Sequence, residues 1–144
     1  MAVRDEYINL LVGIPGFKVT LAAIREFKDE DDSEDNGPLL VIALFRLQRR
    51  YRCRCGREFS SYYDRRERSV RDLSYGPYRR SYLCFSQMRV NCPECGVVTE
   101  RLDWVDPRVN YTKRLAAAVA LSCRETRSLS SIARQFGLHA HTSD

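Results

Sequence analysis

Two close pairs of cysteines, Cys53-Arg54-Cys55-Gly56 and Cys92-Pro93-Glu94-Cys95-Gly96, constrain this 144-residue chain more than any other feature. In a protein kept in a reducing compartment such pairs point to a metal ion rather than to disulfides. Four thiolates complete a tetrahedral shell, and holding them together draws two tight turns and the strands that carry them to one point. Pro93 fixes the second turn, and a glycine after each pair permits the left-handed backbone of a metal-binding knuckle. The first pair has a single spacer residue, so its turn must be tighter, and Cys84 is the nearest substitute for Cys53 as a ligand. Two alternatives stay open at this point: pairs of buried free thiols, and iron in place of Zn2+. A catalytic cysteine is not indicated, because the only histidines, His139 and His141, stand at the far end of the sequence with nothing marking them as bases.

The length suits one domain, or one domain with an appendage, able to bury its own core. No apolar run approaches the roughly 18 residues of a spanning helix. The start Met1-Ala2-Val3-Arg4-Asp5-Glu6 lacks the apolar stretch of a signal peptide. The expectation is a soluble, cytoplasmic protein with no membrane partner.

Charge is distributed unevenly. Residues 1–45 carry four basic and nine acidic side chains, whereas residues 46–90 carry thirteen arginines against Glu58, Asp64, Glu67 and Asp72. No lysine occurs in that middle third, which favours planar, bidentate contact with phosphates or carboxylates. Tyr51, Tyr62, Tyr63, Tyr75, Tyr78 and Tyr82 are interleaved with the arginines, as on a nucleic-acid-binding surface. The alternative is a solvated sheet face whose arginine stems cover apolar area.

Periodicity divides the chain into residues 1–106, rich in strand signals, and residues 107–144, which are helical. Ile8–Leu11 is a short apolar start closed by the turn Gly13-Ile14-Pro15-Gly16. Phe17–Phe27 and Leu39–Leu47 suit strands, joined by the acidic Asp29–Pro38 as an exposed hairpin loop. Phe59–Tyr63 reads as extended. Tyr78–Val90 reads as a long strand apolar on both faces, and therefore central or covered. From Pro107 onward, Asn110 or Thr112 can cap a helix running to about Cys123, and Ser128 or Ser130 can cap a second that Gly137 ends. The fold class expected is α+β: an antiparallel, zinc-ribbon-like β domain with an additional hairpin in front, then a short helix-turn-helix-like segment. Because only six residues follow Leu138, that helix-turn-helix reads as incomplete.

The order Leu11-Val12-Gly13-Ile14-Pro15-Gly16, Cys53-Arg54-Cys55-Gly56, the run from Tyr63 to Leu73 containing "RRERSVRDL", "RVNCPECG" from Arg89 to Gly96, and Ser131-Ile132-Ala133-Arg134 resembles the N-terminal region of bacterial insertion-sequence transposases of the ISL3 family. The resemblance implies a zinc finger and a helix-turn-helix that recognise terminal inverted repeats ahead of a DDE catalytic domain. It places Cys53, Cys55, Cys92 and Cys95 at the metal positions and Arg65, Arg66, Arg68 and Arg71 in the basic motif. The first knuckle departs from the pattern by lacking the usual proline and one spacer residue. The residues of a catalytic domain are not in this sequence, so the expectation is a DNA-binding protein that neither cuts nor joins strands.

The arginines expected on DNA are Arg49, Arg50, Arg52, Arg65, Arg66, Arg68, Arg71, Arg79 and Arg80, neutralising phosphates, with one or two reading guanine in the major groove. One structural Zn2+ is the expected cofactor, its four thiolates leaving no open position to activate water. Double-stranded DNA is the expected partner, its terminal inverted repeats the specific target, with room for a homodimer on the nucleoid. The competing assignment is a protein-interaction or regulatory module that pairs through residues 112–138 with a full-length transposase or another partner.

Overall fold

The computed structural model describes residues 5–26, 38–75, 78, 80–124 and 128–137. The acidic run 29–37, Arg79, His139 and His141 lie outside these residues. The elements in chain order are α1 (Asp5–Val12), β1 (Phe17–Glu26), β2 (Pro38–Arg46), β3 (Tyr51–Arg52), β4 (Glu58–Phe59), β5 (Asp64–Asp72), β6 (Arg80–Cys92), β7 (Gly96–Thr99), α2 (Lys113–Arg124) and α3 (Leu129–Phe136). The apolar start at Ile8–Leu11 lies within helix α1, and Leu10 and Leu11 point outward. Of the expected extended run Phe59–Tyr63, Phe59 pairs in β4, Ser60 and Ser61 bend, and the Tyr63 N–H donates to the Arg89 carbonyl at 2.7 Å, leading into β5.

The main sheet has the order β1-β2-β6-β5, and β7 takes the edge of β6 beyond the end of β2. Antiparallel neighbours dominate, but β2 and β6 run parallel, with Leu39 opposite Arg80 and Ala43 opposite Cys84. That is a departure from an all-antiparallel ribbon. A parallel pair needs a long crossover, and the segment holding β3, β4 and β5 supplies one.

Strand β6 sits in the centre and changes its buried face along its length. Ser81, Leu83, Phe85 and Gln87 are buried in alternation, and after Gln87 the buried set shifts to Met88, Val90 and Cys92. Leu83 and Phe85 pack with Val12, Ile14, Val19, Ile42, Leu44, Val70 and Val105 in one core. Met88, Val90 and Cys92 pack with Tyr51 and Cys53 in a second. Apolarity on both faces of this strand thus has a separate cause at each end.

The two helices close a third cluster around Leu115, Ile132 and Phe136, to which Leu73 contributes from the end of β5. Thr112 caps α2, its Oγ1 accepting from the Leu115 N–H at 3.3 Å. Ser128 caps α3 by accepting from the Ser131 N–H at 3.2 Å, and Gly137 ends that helix at φ 63°.

Polar contacts bind these helices to β5. Asp72, 1% exposed, accepts from Arg114 Nε at 2.8 Å, Thr112 Oγ1 at 2.8 Å and Tyr75 OH at 2.6 Å. Arg114 also donates to the Val12 carbonyl at 2.5 Å, joining α1 to the same point. Burial alone raises a carboxyl pKa, but the hydrogen bonds from Arg114, Tyr75 and Thr112 outweigh it, so Asp72 is held below the usual carboxylate range.

A carboxylate with a depressed folded-state pKa stabilises the fold above its unfolded-state value and loses that contribution as pH falls. Stability is therefore expected to decline below about pH 4. Asp72→Asn is expected to cost about 2–4 kcal/mol at neutral pH by leaving Arg114 without its counter-charge, and to flatten that acid limb. Urea denaturation at a series of pH values measures both.

Candidate metal centre and nucleic-acid interface

Each cysteine pair sits where a turn is enforced by its own backbone. In the first, the Cys53 N–H donates to the Arg57 carbonyl at 2.8 Å and the Gly56 N–H to the Cys53 carbonyl at 2.9 Å. In the second, Cys92 ends β6 and Gly96 opens β7 directly opposite it. Gly56 and Gly96 have φ of 94° and 78°, with open space where a Cβ would stand. Their requirement is the left-handed backbone and not lack of room.

The metal-ligating atoms of Cys53, Cys55, Cys92 and Cys95 all lie within 4.8 Å of one another, and Cys55 Sγ is 3.9 Å from Cys92 Sγ. A tetrahedron with metal–sulfur bonds of about 2.3 Å has sulfur–sulfur edges of about 3.8 Å. The four thiols therefore fit a tetrathiolate centre despite the short spacer in the first pair. Cys53 and Cys92 are buried, Cys95 is half-buried and Cys55 is exposed, so one side of the centre meets solvent.

Cys84, the substitute considered for Cys53, is not part of this group; it lies on β6 and donates to Ser69 Oγ at 3.6 Å. Cys84 shares a face of β6 with Cys92 but stands eight residues earlier, roughly 26 Å along an extended strand, and that distance excludes it. The Cys92 thiol is lowered to about 7, first by the backbone N–H of Cys95, then by that of Glu94 and by the Cys53 and Cys55 thiols. A knuckle that already favours the thiolate near neutral pH is prepared for a cation.

A buried ion pair locks this centre to the main sheet. Arg46 Nη2 donates to Glu100 Oε2 at 2.6 Å, and the Glu100 side chain is 1% exposed. The same carboxylate oxygen accepts from the Met88 N–H at 2.7 Å. The Arg46 guanidinium stands 5.0 Å from the centre of the Phe17 ring and 4.9 Å from that of Tyr51, bridging the first core and the second. Burial raises the Glu100 carboxyl, opposed by the Met88 N–H and by Arg46.

The arginines divide into two sets. Arg68 is 6% exposed; it donates to Gln87 Oε1 at 2.6 Å and to the Asp106 and Val109 carbonyls. Burial, followed by repulsion from Arg66, lowers its pKa. Arg71 donates to the carbonyls of Phe136 at 3.0 Å and Gly137 at 2.6 Å and lies 5.5 Å from the Tyr82 ring centre. Its charge complements the C-terminal end of α3. These two side chains tie the ribbon to the helical segment.

Arg49, Arg50, Arg65 and Arg66 are exposed and have no side-chain partner among the described residues. Arg52 is half-exposed and pairs with Asp103 at 2.9 Å, and Arg80 is half-buried. Arg65 and Arg66 line a groove of about 490 Å³ with Asp64, Gln87, Arg89 and Thr99. Arg89 was not singled out by its sequence neighbourhood. It donates to Asp64 Oδ1 at 2.7 Å and covers the Tyr63 ring at 5.6 Å, and that hydrogen bond holds Asp64 below its usual range. The signal that would have found it is register: Arg89 lies opposite Asp64, one place before Arg65.

Residues 100–142 match the family model described as the helix-turn-helix domain of transposase family ISL3. The matched segment begins at Glu100, the acid that pairs with Arg46, and contains α2 and α3 with Thr112, Arg114, Ser128 and Gly137. No curated protein and no solved structure matches the chain. The match likens the helical segment to the helix-turn-helix of that transposase family, and the clustered cysteines could hold a metal ion. No helix among the described residues is long and apolar enough to cross a membrane.

Metal analysis of purified variants checks the ligand group. Cys55→Ser is expected to lower the bound metal by at least half, even though Cys55 is exposed, and Cys84→Ser to leave it at the wild-type level.

Proposed function

We propose that the chain is a zinc-stabilised DNA-binding module that recognises the ends of an insertion sequence. The observation that carries this reading is the match of residues 100–142 to a transposase helix-turn-helix domain, on a protein whose ribbon presents arginines free of internal partners among the described residues. Zn2+ is preferred over iron because a closed set of four thiolates suits a structural ion and the surrounding arginines suit polyanion binding better than electron transfer. Cys53, Cys55, Cys92 and Cys95 are the assigned ligands. When bound, the ion supplies folding free energy; the residues themselves supply the turns that aim β3, β4 and β7.

DNA contact is assigned to Arg49, Arg50, Arg52, Arg65, Arg66 and Arg80, with Arg89 and Tyr63 beside them; Arg79 joins this set from the sequence alone. Phosphate neutralisation gives affinity and register, and base readout falls to a subset that enters the major groove. Double-stranded DNA carrying the terminal inverted repeats is the proposed target, on the bacterial nucleoid in the cytoplasm. We assign recognition and not strand cleavage to this chain. A homodimer would present two such surfaces to paired ends.

A second reading, pairing with a full-length transposase through the helices, is favoured by one observation: Leu121 and Leu129 are 58% and 69% exposed on α2 and α3. Co-elution of the two proteins on mixing tests it.

Fluorescence anisotropy over a salt series tests the DNA reading. Arg65→Ala with Arg66→Ala is expected to leave the fold intact and to lessen the slope of log affinity against log salt by about 2, roughly 0.9 for each phosphate no longer neutralised. An unchanged slope assigns those arginines to solubility. Cys92→Ala is expected to lose metal, fold and binding together; a Cys92→Ala protein that keeps both fold and DNA affinity overturns the structural role of the metal.

A further inference from the structure

An open cleft of about 690 Å³ lies between the start of β1, the end of β2, β3 and the segment Arg101–Trp104. Its size is that of a small-ligand site. Phe17, Leu47, Leu102 and Trp104 line it with apolar surface, and Gln48, Arg50 and Arg52 add polar groups. Trp104 is fixed edge-on against Phe17 and Phe85, at centroid distances of 5.7 and 4.7 Å, so it forms a rigid wall.

Charge within the cleft is biased toward an anion. Glu100 is neutralised by Arg46 at 2.6 Å, and Asp103 by Arg52 at 2.9 Å with Arg101 at 4.0 Å. Among the described residues, Arg50 has no side-chain partner, and Glu58 is the one carboxylate of the lining without a cation. With the apolar lining beside Arg50, this favours an occupant that carries both a flat apolar ring and a negative charge.

A nucleobase joined to a phosphate meets these requirements: an apolar wall for the ring, the Gln48 amide for its edge, and an arginine with no side-chain partner among the described residues. We propose that this cleft receives one unstacked nucleotide of bound DNA, with the base against Trp104, Leu47 and Leu102, its edge facing Gln48, and its phosphate on Arg50. The inference rests on the DNA-binding reading above and adds to it a site for single-stranded DNA at a strand terminus or an opened base pair. Aromatic walls combined with arginines are the means by which single strands are held without strict sequence preference.

Trp104 is the only tryptophan of the chain, so its emission reports on the cleft directly. The experiment compares the metal-loaded protein with a blunt duplex and with the same duplex carrying a 3′ overhang of four deoxyadenylates. Trp104 emission is expected to be quenched by the overhang and not by the blunt form, with the overhang bound about tenfold tighter, the effect of one stacked base.

Leu47→Gln, a change at an exposed position, is expected to erase that difference while blunt-duplex affinity stays at the wild-type level. Equal emission and equal affinity for the two DNAs would overturn the cleft proposal while leaving duplex binding in place. Persistence of the difference in Leu47→Gln would place the overhang elsewhere and overturn it too. Equal quenching by inorganic phosphate would reduce the cleft to an anion site and exclude the base. Failure of the blunt duplex to bind at low salt is a separate outcome, and it removes the DNA reading together with the inference built on it.

Discussion

Strand β6 must bury one face at its beginning and the opposite face at its end, and the rest of the architecture answers that demand. Leu83 and Phe85 need the hairpin of β1 and β2 and the side chains of β5 over them. Met88, Val90 and Cys92 need the metal knuckles on the other side. The side chains of β6 keep alternating in unbroken register with β5, so what changes is the face that is covered, and the Arg46–Glu100 pair stands at that changeover. Glu100 accepts the Met88 N–H there, while Arg46 spans Phe17 of one core and Tyr51 of the other. Such a buried pair costs desolvation and contributes most by specifying one arrangement, since any displacement of either core leaves a charge unpaired.

The arginines show how one residue type serves two ends. In β5, Arg68 and Arg71 face the protein and satisfy carbonyls of the segment around Asp106–Val109 and of the end of α3. Arg65 and Arg66, at the start of the same strand, extend past the core into solvent. The inward set mounts the helical segment on the ribbon, with Asp72 and Arg114 beside it, so the two parts keep a defined orientation. In the DNA-binding function proposed above, that rigidity would hold phosphate contacts at fixed distances from the helices. The four-cysteine cluster at the other end of β6 gathers β3, β4 and β7 where the ribbon alone has little apolar area to bury, and a bound metal would hold them there.

Much of this was legible in the chain. The paired cysteines, each followed by glycine, announced a common centre because the chemistry of four thiolates tolerates few other arrangements. The caps were readable to within two residues, Asn110 or Thr112 and Ser128 or Ser130, with Gly137 as the stop, because capping is a local matter of one side chain and the next turn. Hidden from the sequence were the parallel pairing of β2 with β6, the helical state of Ile8–Leu11, the separation of Cys84 from the centre, and the place of Arg89. Each depends on which strand lies beside which, and no local pattern encodes that.

By itself the sequence determined the chemistry on offer: two cysteine pairs able to form a four-thiol group, an electropositive middle third without lysine, two capped helices. These follow from residue type and short spacing. Tertiary structure alone decided which arginines remain for a ligand. The packing of neighbouring elements brought carbonyls to Arg68 on one face of β5 and to Arg71 on the other, and left Arg49, Arg50, Arg65 and Arg66 outward. A guanidinium already satisfied by buried acceptors gains nothing from a phosphate, whereas one in water does, and that difference exists only once the chain has folded.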